Sequence, residues 1–466
     1  MFQKILSWIR EVLAKMLGQS SVKDAFGIDV VISSEMQTAL TAWSNMYINQ
    51  ADWLGDDVHS LNLPAEIAGE IARIATVEMN VTLSGSARAD FLAAQIKPVL
   101  GRIREHLEYG NAKGGLVFKP YPKNGMLAID VVQADMFYPI AFDSSGNMTA
   151  CIFADQKTVG KHYYTRLEYH ALESAGYAVR NLAYMSTARD VLGSQVPLSS
   201  VPDWADLQPD TLITGVTRPL FAYYRYPGAN NIDTTSPLGV SCYARAVDLI
   251  KDADVQWSNF LWEFDSGKRA LYTDVLAWDK DTTGKVMLPN RRLYRTLNGS
   301  GRVGDEELFK EWSPTLREQN ILAGLDAILK QIEFGCGLAY GTLSNPQTVD
   351  KTATEIKISR QRTYATITDV QKSLTGALDN LLYAADVWAT LGNLAPRGAY
   401  QATFEFDDSV ISDRDTQFSH DSQAVGMGAM SKVEWRMRNY GESEPVARKM
   451  IAMADAERAN EPMFPA

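Results

Sequence analysis

Four aspartates near the end of the chain form the densest group of carboxylates that could bind a metal ion. Asp407, Asp408, Asp413 and Asp415 follow an alternating segment at 400–406 that predicts a strand. Divalent cations prefer carboxylate oxygens, so this group could serve a metal-dependent nuclease. It lacks the spacing and the glycine of an EF-hand, and a nuclease site normally adds a Glu or Lys from a neighbouring strand. We favour a solvated strand end or a salt-bridge patch between subunits.

Two glycine-rich segments contain residue types found in phosphate-binding loops. The segment 299–304 fits the pattern GxGxxG, but it follows no buried strand and runs into three acids at 305–307, which would repel a pyrophosphate. The segment 335–341 lacks the Lys and the Ser or Thr that end a P-loop. Neither segment predicts nucleotide binding or ATP hydrolysis.

The histidines and cysteines lack the spacing of a catalytic or zinc site. The five histidines stand apart from Ser, Cys or Asp partners at any recognised spacing: His59, His106, His162, His170 and His420. The three cysteines lie far apart and outside any CxxC pattern, which predicts small buried thiols: Cys151, Cys242 and Cys336. We therefore predict no catalytic residue, no metal and no cofactor, and a protein that is not an enzyme.

The composition is that of a globular protein with several units. The 466 residues suffice for about three units of ordinary size, and the 46% that are hydrophobic suffice for a sizeable core. The formal net charge of −11 argues against a protein that grips nucleic acid through many phosphate contacts, whereas weak, sliding contacts with DNA are compatible with it. No apolar run has the length of a membrane span or of a secretion signal, so we expect a soluble protein of a reducing compartment.

The elements that would position functional residues change in type along the chain. An apolar stripe at 5–16 predicts a helix that docks on a neighbouring element or another subunit, with a membrane-surface helix as the alternative. Further helical periods cover 35–53 and 64–80. The stretch 115–225 predicts antiparallel strands, and its Asn124-Gly125 pair predicts a hairpin turn.

A small basic insert lies between two helical periods in the second half of the chain. Helices are predicted at 240–264 and 314–334, and short strands between them at 268–312. Five basic residues and no acid occur within the eighteen residues 285–302. This insert is the one strongly basic patch that the sequence shows.

A glycine-containing loop and a very long helical period follow the second of these helices. A capping box at Thr352 and Glu355 opens a period that continues for about 40 residues, which would make a helix roughly 60 Å long. A helix of that length usually spans an assembly. The tail at 418–459 also predicts helices, with a break at Gly426 and Gly428.

Several segments, in this order along the chain, resemble those of tailed-bacteriophage portal proteins. The segment 334–343, followed by 351–356, is similar to the family's loop-and-helix signature. The segment 404–413 resembles a family strand that ends in paired aspartates, and 430–442 resembles the start of a C-terminal helix. Residues 236–240 fit the approach to the family's stem.

The resemblance implies an α+β, portal-like fold with a mixed wing domain, a helical stem, a small α/β clip, a long spanning helix and a helical C-terminal crown. The implied boundaries are 1–235 and 353–420 for the wing, 236–264 and 313–335 for the stem helices, 265–312 for the clip, 336–352 for the tunnel loop, and 421–466 for the crown.

The resemblance also implies a function and partners. It implies a ring of about twelve copies at one capsid vertex, assembled in the host bacterial cytoplasm and retained in the virion. Double-stranded DNA would pass through its channel during packaging and ejection. The implied protein partners are the terminase large subunit, a head-completion adaptor protein, and the major capsid and scaffolding proteins, without a membrane.

The candidate site residues lie in the tunnel loop and the clip. We expect the loop and its flank to line the DNA channel through Gly337, Tyr340, Thr342, Ser344, Asn345 and Lys351. Among them Lys351 is the leading candidate for a phosphate contact, and a solvated charge at a helix start is its alternative; Lys357 and Arg360 lie nearby. In the clip, we expect contacts with a protein partner or neighbouring subunit, with DNA as the alternative, through Arg291, Arg292 and Arg295.

Two other functions fit parts of the sequence. The first is the metal-dependent nuclease that would use Asp407, Asp408 and Asp413. The second is a capsid or scaffold-like protein that forms shells. That second hypothesis leaves the basic insert and the glycine-containing loop unexplained.

Overall fold

The computed structural model describes residues 25–189, 191–268, 270–274, 294–297, 309–346, 353–406 and 414–459. The predicted helix at 5–16 lies outside these ranges. The chain forms two compact units. One comprises the residues up to 77 together with 81–404, and the other comprises 78–80 together with the residues from 405 onward. None of the helices in the described ranges combines the length and hydropathy of a membrane span.

Four helices open the described part of the larger unit: α1 (Ser34–Tyr47), α2 (Leu63–Thr76), α3 (Ala87–Leu100) and α4 (Ile103–Lys113). The predicted helices at 35–53 and 64–80 are confirmed but end earlier. The first ends because Asn49 has a φ of 57°, outside the helical region. The second ends at Thr76, before β1 (Met79–Ser84). Within α2, Ile67 and Ile71 are one turn apart and fully buried, so this face forms part of the core.

The strands of 115–225 form two antiparallel sheets, as predicted. In the first sheet, β2 (Gly115–Lys123) pairs with β3 (Met126–Gln133) on one side and with β10 (Ala222–Arg225) on the other. The predicted hairpin turn joins β2 to β3, and Asn124 and Gly125 there have φ of 50° and 76°. Such positive φ angles are typical of Asn-Gly in tight turns.

The second sheet is larger, with six strands between residues 137 and 213. Its order is β4-β5-β6-β7-β8, and β9 also pairs with β7. The strands are β4 (Phe137–Phe142), β5 (Met148–Val159), β6 (His162–Glu173), β7 (Gly176–Ser186), β8 (Ser194–Val196) and β9 (Asp210–Ile213). Buried Ile152, Leu167 and Tyr169 belong to a hydrophobic cluster on this sheet.

Two helices, α5 (Val247–Ser266) and α6 (Glu318–Cys336), pack against each other and flank a small sheet. The first was predicted to begin at about 240, which is wrong. Residues 240–243 are not helical because Cys242 N–H donates to Asn111 O at 2.9 Å on α4. A short 3-10 helix (Ala244–Ala246) then leads into α5.

The sheet between α5 and α6 has the strand order β12-β11-β13. It comprises β11 (Ala270–Asp274), β12 (Tyr294–Leu297) and β13 (Phe309–Trp312). β11 is parallel to β12 and antiparallel to β13. Strands at 268–312 were predicted, and the rest of that segment, with most of the basic run, lies outside the described residues.

The predicted long helix is confirmed as α7 (Ala353–Leu391). Its 39 residues extend about 58 Å at 1.5 Å per residue. Ile367, Val370 and Leu374 of the predicted apolar stripe are buried. The helix contacts strands β2 and β10, and beyond it β14 (Gln401–Phe406) pairs with β1. The predicted capping residue Thr352 lies outside the described residues.

The described residues of the C-terminal unit form three helices: α8 (Arg414–Gly426), α9 (Lys432–Tyr440) and α10 (Glu444–Ala459). The predicted break at Gly426 and Gly428 is confirmed. A second break occurs at Gly441, which has a φ of 65° after α9. Trp435 contacts Phe418 and Tyr440, with ring centres 5.2 and 5.5 Å away, so aromatic packing joins α8 to α9.

Candidate functional site

Helix α6 ends in a loop that turns back toward α7. Gly337 ends the helix with a φ of 72°, a conformation that glycine adopts without steric cost. Its carbonyl oxygen accepts a hydrogen bond from Thr366 Oγ1 at 3.1 Å on α7. A Cβ at position 337 would lie 2.3 Å from that Thr366 oxygen. The close approach of loop and helix therefore requires glycine.

The carboxylate of Glu333 holds the middle of the loop. This side chain is fully buried in the last turn of α6. Its Oε1 accepts the backbone N–H groups of Gly341 at 3.1 Å, Leu343 at 2.6 Å and Ser344 at 2.9 Å. Its Oε2 accepts the Ser344 hydroxyl at 2.9 Å. A buried carboxylate needs such donors, so helix and loop are coupled through one side chain.

The far end of the loop is also attached to α6. Asn345 N–H donates to Asp326 Oδ1 at 2.8 Å, and Lys330 Nζ lies 2.7 Å from Asp326 Oδ2. Buried Leu338 provides an apolar contact beneath the loop. Hydrogen bonds at both ends and in the middle thus define one conformation for residues 337–345.

An arginine of α7 lies between two aromatic rings beside the loop. The guanidinium carbon of Arg362 is 4.2 Å from the ring centre of Phe334 and 5.6 Å from that of Tyr340. Phe334 is 54% exposed, so these cation–π contacts lie at the surface of the single chain. Spacing along the sequence does not indicate Arg362 as a site residue, because the contact joins residues that are far apart in the chain.

The structure brings most of the predicted loop residues together. Thr342 and Asn345 are exposed. Ser344 is only 4% exposed, and its hydroxyl donates to Glu333. In this conformation Ser344 therefore stabilises the loop. Lys351 lies outside the described residues. That the loop contacts DNA stays a prediction.

The predicted clip arginines are only partly described. Arg295 lies on β12, in register with Tyr272 on β11. Arg291 and Arg292 lie outside the described residues. Their contact with a protein partner or a neighbouring subunit stays a prediction.

The structure describes all three cysteines but only part of the aspartate group that could bind a metal ion. Asp407, Asp408 and Asp413 lie outside the described residues, and Asp415 belongs to α8. Among the described residues, no group of three His, Cys, Asp or Glu side chains could hold a metal ion. All three cysteines are buried free thiols, as predicted. Burial raises the pKa of Cys336 to about 12, which makes this thiol unreactive near neutral pH.

A buried polar cluster that sequence spacing does not indicate joins the sheet that contains β2 to the sheet that contains β6. Lys119 Nζ on β2 donates to Glu168 Oε2 on β6 at 2.6 Å. Glu168 Oε1 lies 2.9 Å from His170 Nε2, and His170 Nδ1 is 2.8 Å from the Tyr177 hydroxyl. Burial by itself raises the pKa of Glu168, but Lys119, His170 and Arg166 together outweigh it and hold that pKa well below its usual range. Burial lowers the pKa of His170.

A second missed group joins the ends of α5 and α6. Glu263 on α5 accepts the guanidinium of Arg317 at 2.8 and 3.1 Å, and the backbone N–H of Arg317 at 3.0 Å. The side-chain hydrogen bond from Arg317 lowers the pKa of Glu263. This pair fixes the distance between the two helices where the small sheet begins.

The same helix pair carries an exposed apolar face. On α5, the ring centre of Phe260 is 5.3 Å from that of Trp257 and 5.0 Å from that of Phe264. Trp262 is 62% exposed and Phe264 is 42% exposed. Trp257, Phe260 and Phe264 share one side of α5, whereas Trp262 lies about 200° from Phe264 around the helix. Exposed aromatic side chains of this kind are typical of an interaction surface.

Comparison with models of known protein families gives a match over most of the chain. The model of the family described as "Phage portal protein, SPP1 Gp6-like" matches residues 101–459. The chain belongs to the phage portal protein family. This confirms the resemblance described above. Portal proteins are structural proteins rather than a family of enzymes.

Solved structures and curated sequences were also compared with the chain. A chain in the solved structure described as "Neck of native GTA particle computed with C12 symmetry" is 12% identical to this portal family member. The alignment covers 91% of this chain and 98% of that chain, with a TM-score of 0.45. A comparison with curated protein sequences gave no significant match.

Proposed function

We propose that this chain forms a closed ring of about twelve copies at one vertex of a phage capsid. The central channel of the ring conducts double-stranded DNA into the head during packaging and out of it during ejection. The observation that carries the proposal is the family match, because it spans the α5–α6 helix pair, the loop, α7 and the C-terminal helices.

The exposed face of α5 supports a ring. A cyclic ring uses head-to-tail contacts, so each copy needs two different surfaces that bind each other. Phe264 on α5, which is exposed and contacts Phe260, provides one apolar surface that a neighbouring copy would cover. The 39-residue helix α7 has the length to carry contacts across a subunit.

The loop after α6 supports a channel through which DNA slides. It is hydrogen-bonded to α6 and α7, and it exposes the small polar side chains of Thr342 and Asn345. A net charge of −11 opposes strong binding to phosphates. We propose that residues 336–352 line the channel and touch DNA through few and weak contacts.

The small sheet between α5 and α6 supports a docking role. We propose that the clip, residues 265–312, meets the terminase large subunit during packaging and a head-completion adaptor protein afterwards. Its basic run offers Arg291, Arg292 and Arg295 to an acidic protein surface or to a neighbouring copy. Major capsid and scaffolding proteins would surround the ring at the vertex, and the ring would stay in the virion.

Packaging by assembled heads tests the proposal. Heads are assembled with and without the full-length chain, supplied with terminase, ATP and linear DNA, and treated with nuclease before the protected DNA is measured. We expect protected DNA only in heads that contain the chain. Equal protection in both kinds of head contradicts the proposal.

A second packaging experiment tests the loop. The double variant Asp326→Cys with Asn345→Cys introduces thiols at two positions that are joined by a hydrogen bond from the Asn345 backbone N–H to the Asp326 side chain. If the loop must move as DNA passes, oxidation stalls packaging and reduction of the same heads restores it. Full packaging by the oxidised heads, with the disulfide verified, contradicts a moving loop.

A further inference from the structure

We propose that Arg362 binds backbone phosphates of DNA and that Phe334 and Tyr340 hold it ready for that contact. The proposal rests on the proposed function, because it takes the DNA in the channel as the ligand. It assigns the phosphate contact to an arginine of α7, which the sequence analysis did not consider.

The bonding of Arg362 differs from that of many described arginines. Ten of them lie within ion-pair distance of an Asp or Glu: Arg73, Arg88, Arg102, Arg166, Arg180, Arg218, Arg317, Arg436, Arg438 and Arg448. In the part of the chain that the structure describes, Arg362 contacts two aromatic rings and forms no such ion pair. Its donors are thus open to an anion from outside the single chain.

The two rings leave the right atoms free. Aromatic rings contact the flat faces of a guanidinium, whereas its N–H donors point outward in the plane. Those donors match two oxygens of one phosphate group. A guanidinium held by stacking also loses less conformational entropy on binding than a free side chain does.

The last turn of α6 positions the ring of Phe334, and the loop positions the ring of Tyr340. Phe334 follows the buried Glu333 directly, and Tyr340 precedes Gly341, whose N–H donates to that carboxylate at 3.1 Å. Arg362 lies one helical turn before Thr366, which donates to Gly337. Glu333 therefore acts as a positioning residue: it fixes the loop against α6 and keeps Tyr340 beside the guanidinium.

The chemistry favours phosphate without selection of sequence. Backbone phosphates are the same at every base pair, so a contact with them guides DNA and does not stop at a particular sequence. One contact in each copy would guide a sliding duplex without gripping it, in agreement with the acidic charge of the chain. A carboxylate of a neighbouring copy is the competing partner for Arg362, and the experiment separates the two.

The test measures binding of a short, blunt-ended, fluorescent DNA duplex to the assembled full-length protein. Wild type is compared with Arg362→Ala, with Arg362→Lys, and with the control Arg102→Ala, which removes an exposed arginine from the start of α4. Fluorescence anisotropy is recorded between about 50 and 200 mM salt, where phosphate contacts lose affinity steeply. Electron microscopy of each sample records whether the assembly is intact.

We expect Arg362→Ala to weaken duplex binding about tenfold at low salt and to flatten the salt dependence. Arg362→Lys should lie between Arg362→Ala and wild type, because it keeps the charge and loses the planar fork. The control should bind as wild type does. All variants should form the same assembly.

Two results would overturn the phosphate contact of Arg362. Both can be told apart from a failure of the proposed function. Intact Arg362→Ala assemblies that bind duplex as tightly as wild type exclude the phosphate contact. Loss of assembly in Arg362→Ala alone shows that Arg362 pairs with a neighbouring copy instead. A wild-type chain that forms no ring, either alone or together with major capsid and scaffolding proteins, contradicts the proposed function as well as this inference.

Discussion

Ser344 makes two hydrogen bonds to the carboxylate of Glu333: its backbone N–H donates to Oε1 and its hydroxyl donates to Oε2, each at 2.9 Å. Glu333 lies in the last turn of α6, and Ser344 lies in the loop that follows it. Because the buried carboxylate accepts four hydrogen bonds from the loop, a loop that leaves this position loses all of them. The loop therefore has a defined resting conformation.

Replacing this carboxylate should release the loop. We expect Glu333→Ala to lower the free energy of unfolding by about 3 kcal/mol, because it leaves buried N–H donors unpaired. Hydrogen exchange should speed up at the amides of Gly341, Leu343 and Ser344. The matched control is Gln331→Ala at an exposed position of the same helix. Unchanged exchange in the loop of Glu333→Ala would show that the carboxylate does not hold it.

Glycine at the end of α6 should be irreplaceable. Gly337→Ala should destabilise the protein by about 2 kcal/mol, because alanine disfavours a φ of 72° and its Cβ would meet Thr366. Gly376→Ala should have the opposite sign, since Gly376 is an exposed residue within α7 with no atom near its missing Cβ. We expect it to stabilise the protein by about 0.5–1 kcal/mol. Thermal unfolding of both variants is the measurement, and equal signs would contradict this account.

The buried ion pair between Lys119 on β2 and Glu168 on β6 should not tolerate loss of one partner. Lys119→Met leaves the Glu168 carboxylate buried without its ammonium partner, and we expect a loss of about 3–5 kcal/mol. Adding Glu168→Gln should recover much of this loss. Arg180→Met, which breaks a half-exposed pair with Glu173, is the control and should cost less than about 1 kcal/mol. Chemical denaturation checks the three variants, and equal losses for Lys119→Met and Arg180→Met would contradict the claim.

The ion pair between α5 and α6 should make stability depend on pH. Arg317 lowers the pKa of Glu263 in the folded state, so the pair stabilises the fold above the usual glutamate pKa and loses that effect as the pH falls through the lowered value. The difference in melting temperature between wild type and Arg317→Met should therefore be present at neutral pH and shrink below about pH 4. Lys268→Met, at an exposed pair near the end of α5, is the control. A difference that persists unchanged in acid would exclude this origin.

Local patterns predicted the elements of the fold well. The apolar stripe of α7 has the same period over its whole length, and the Asn124-Gly125 turn fixes the β2–β3 hairpin. The early residues of α5 were misassigned because the apolar spacing continues through 240–246, where a hydrogen bond to Asn111 forms a different turn. Such a tertiary contact leaves no periodic signal.

The residues that organise the candidate site were less predictable. In the sequence, Glu333 has no feature that distinguishes it from an acid on the surface of a helix. Its burial depends on hydrogen-bond donors from the loop that follows. Arg362 and Phe334 are separated by a loop and two turns of α7, and Lys119 and Glu168 lie on different sheets. Each contact depends on how the elements pack, which spacing along the sequence does not encode.

Electron microscopy of the purified full-length chain tests the central claim most directly. The chain is prepared alone and also together with major capsid and scaffolding proteins, because a ring can need other head proteins to close. The account predicts closed rings with a central hole wide enough for duplex DNA. Closed shells, or single copies in both preparations that cut DNA when a divalent metal is added, would contradict it.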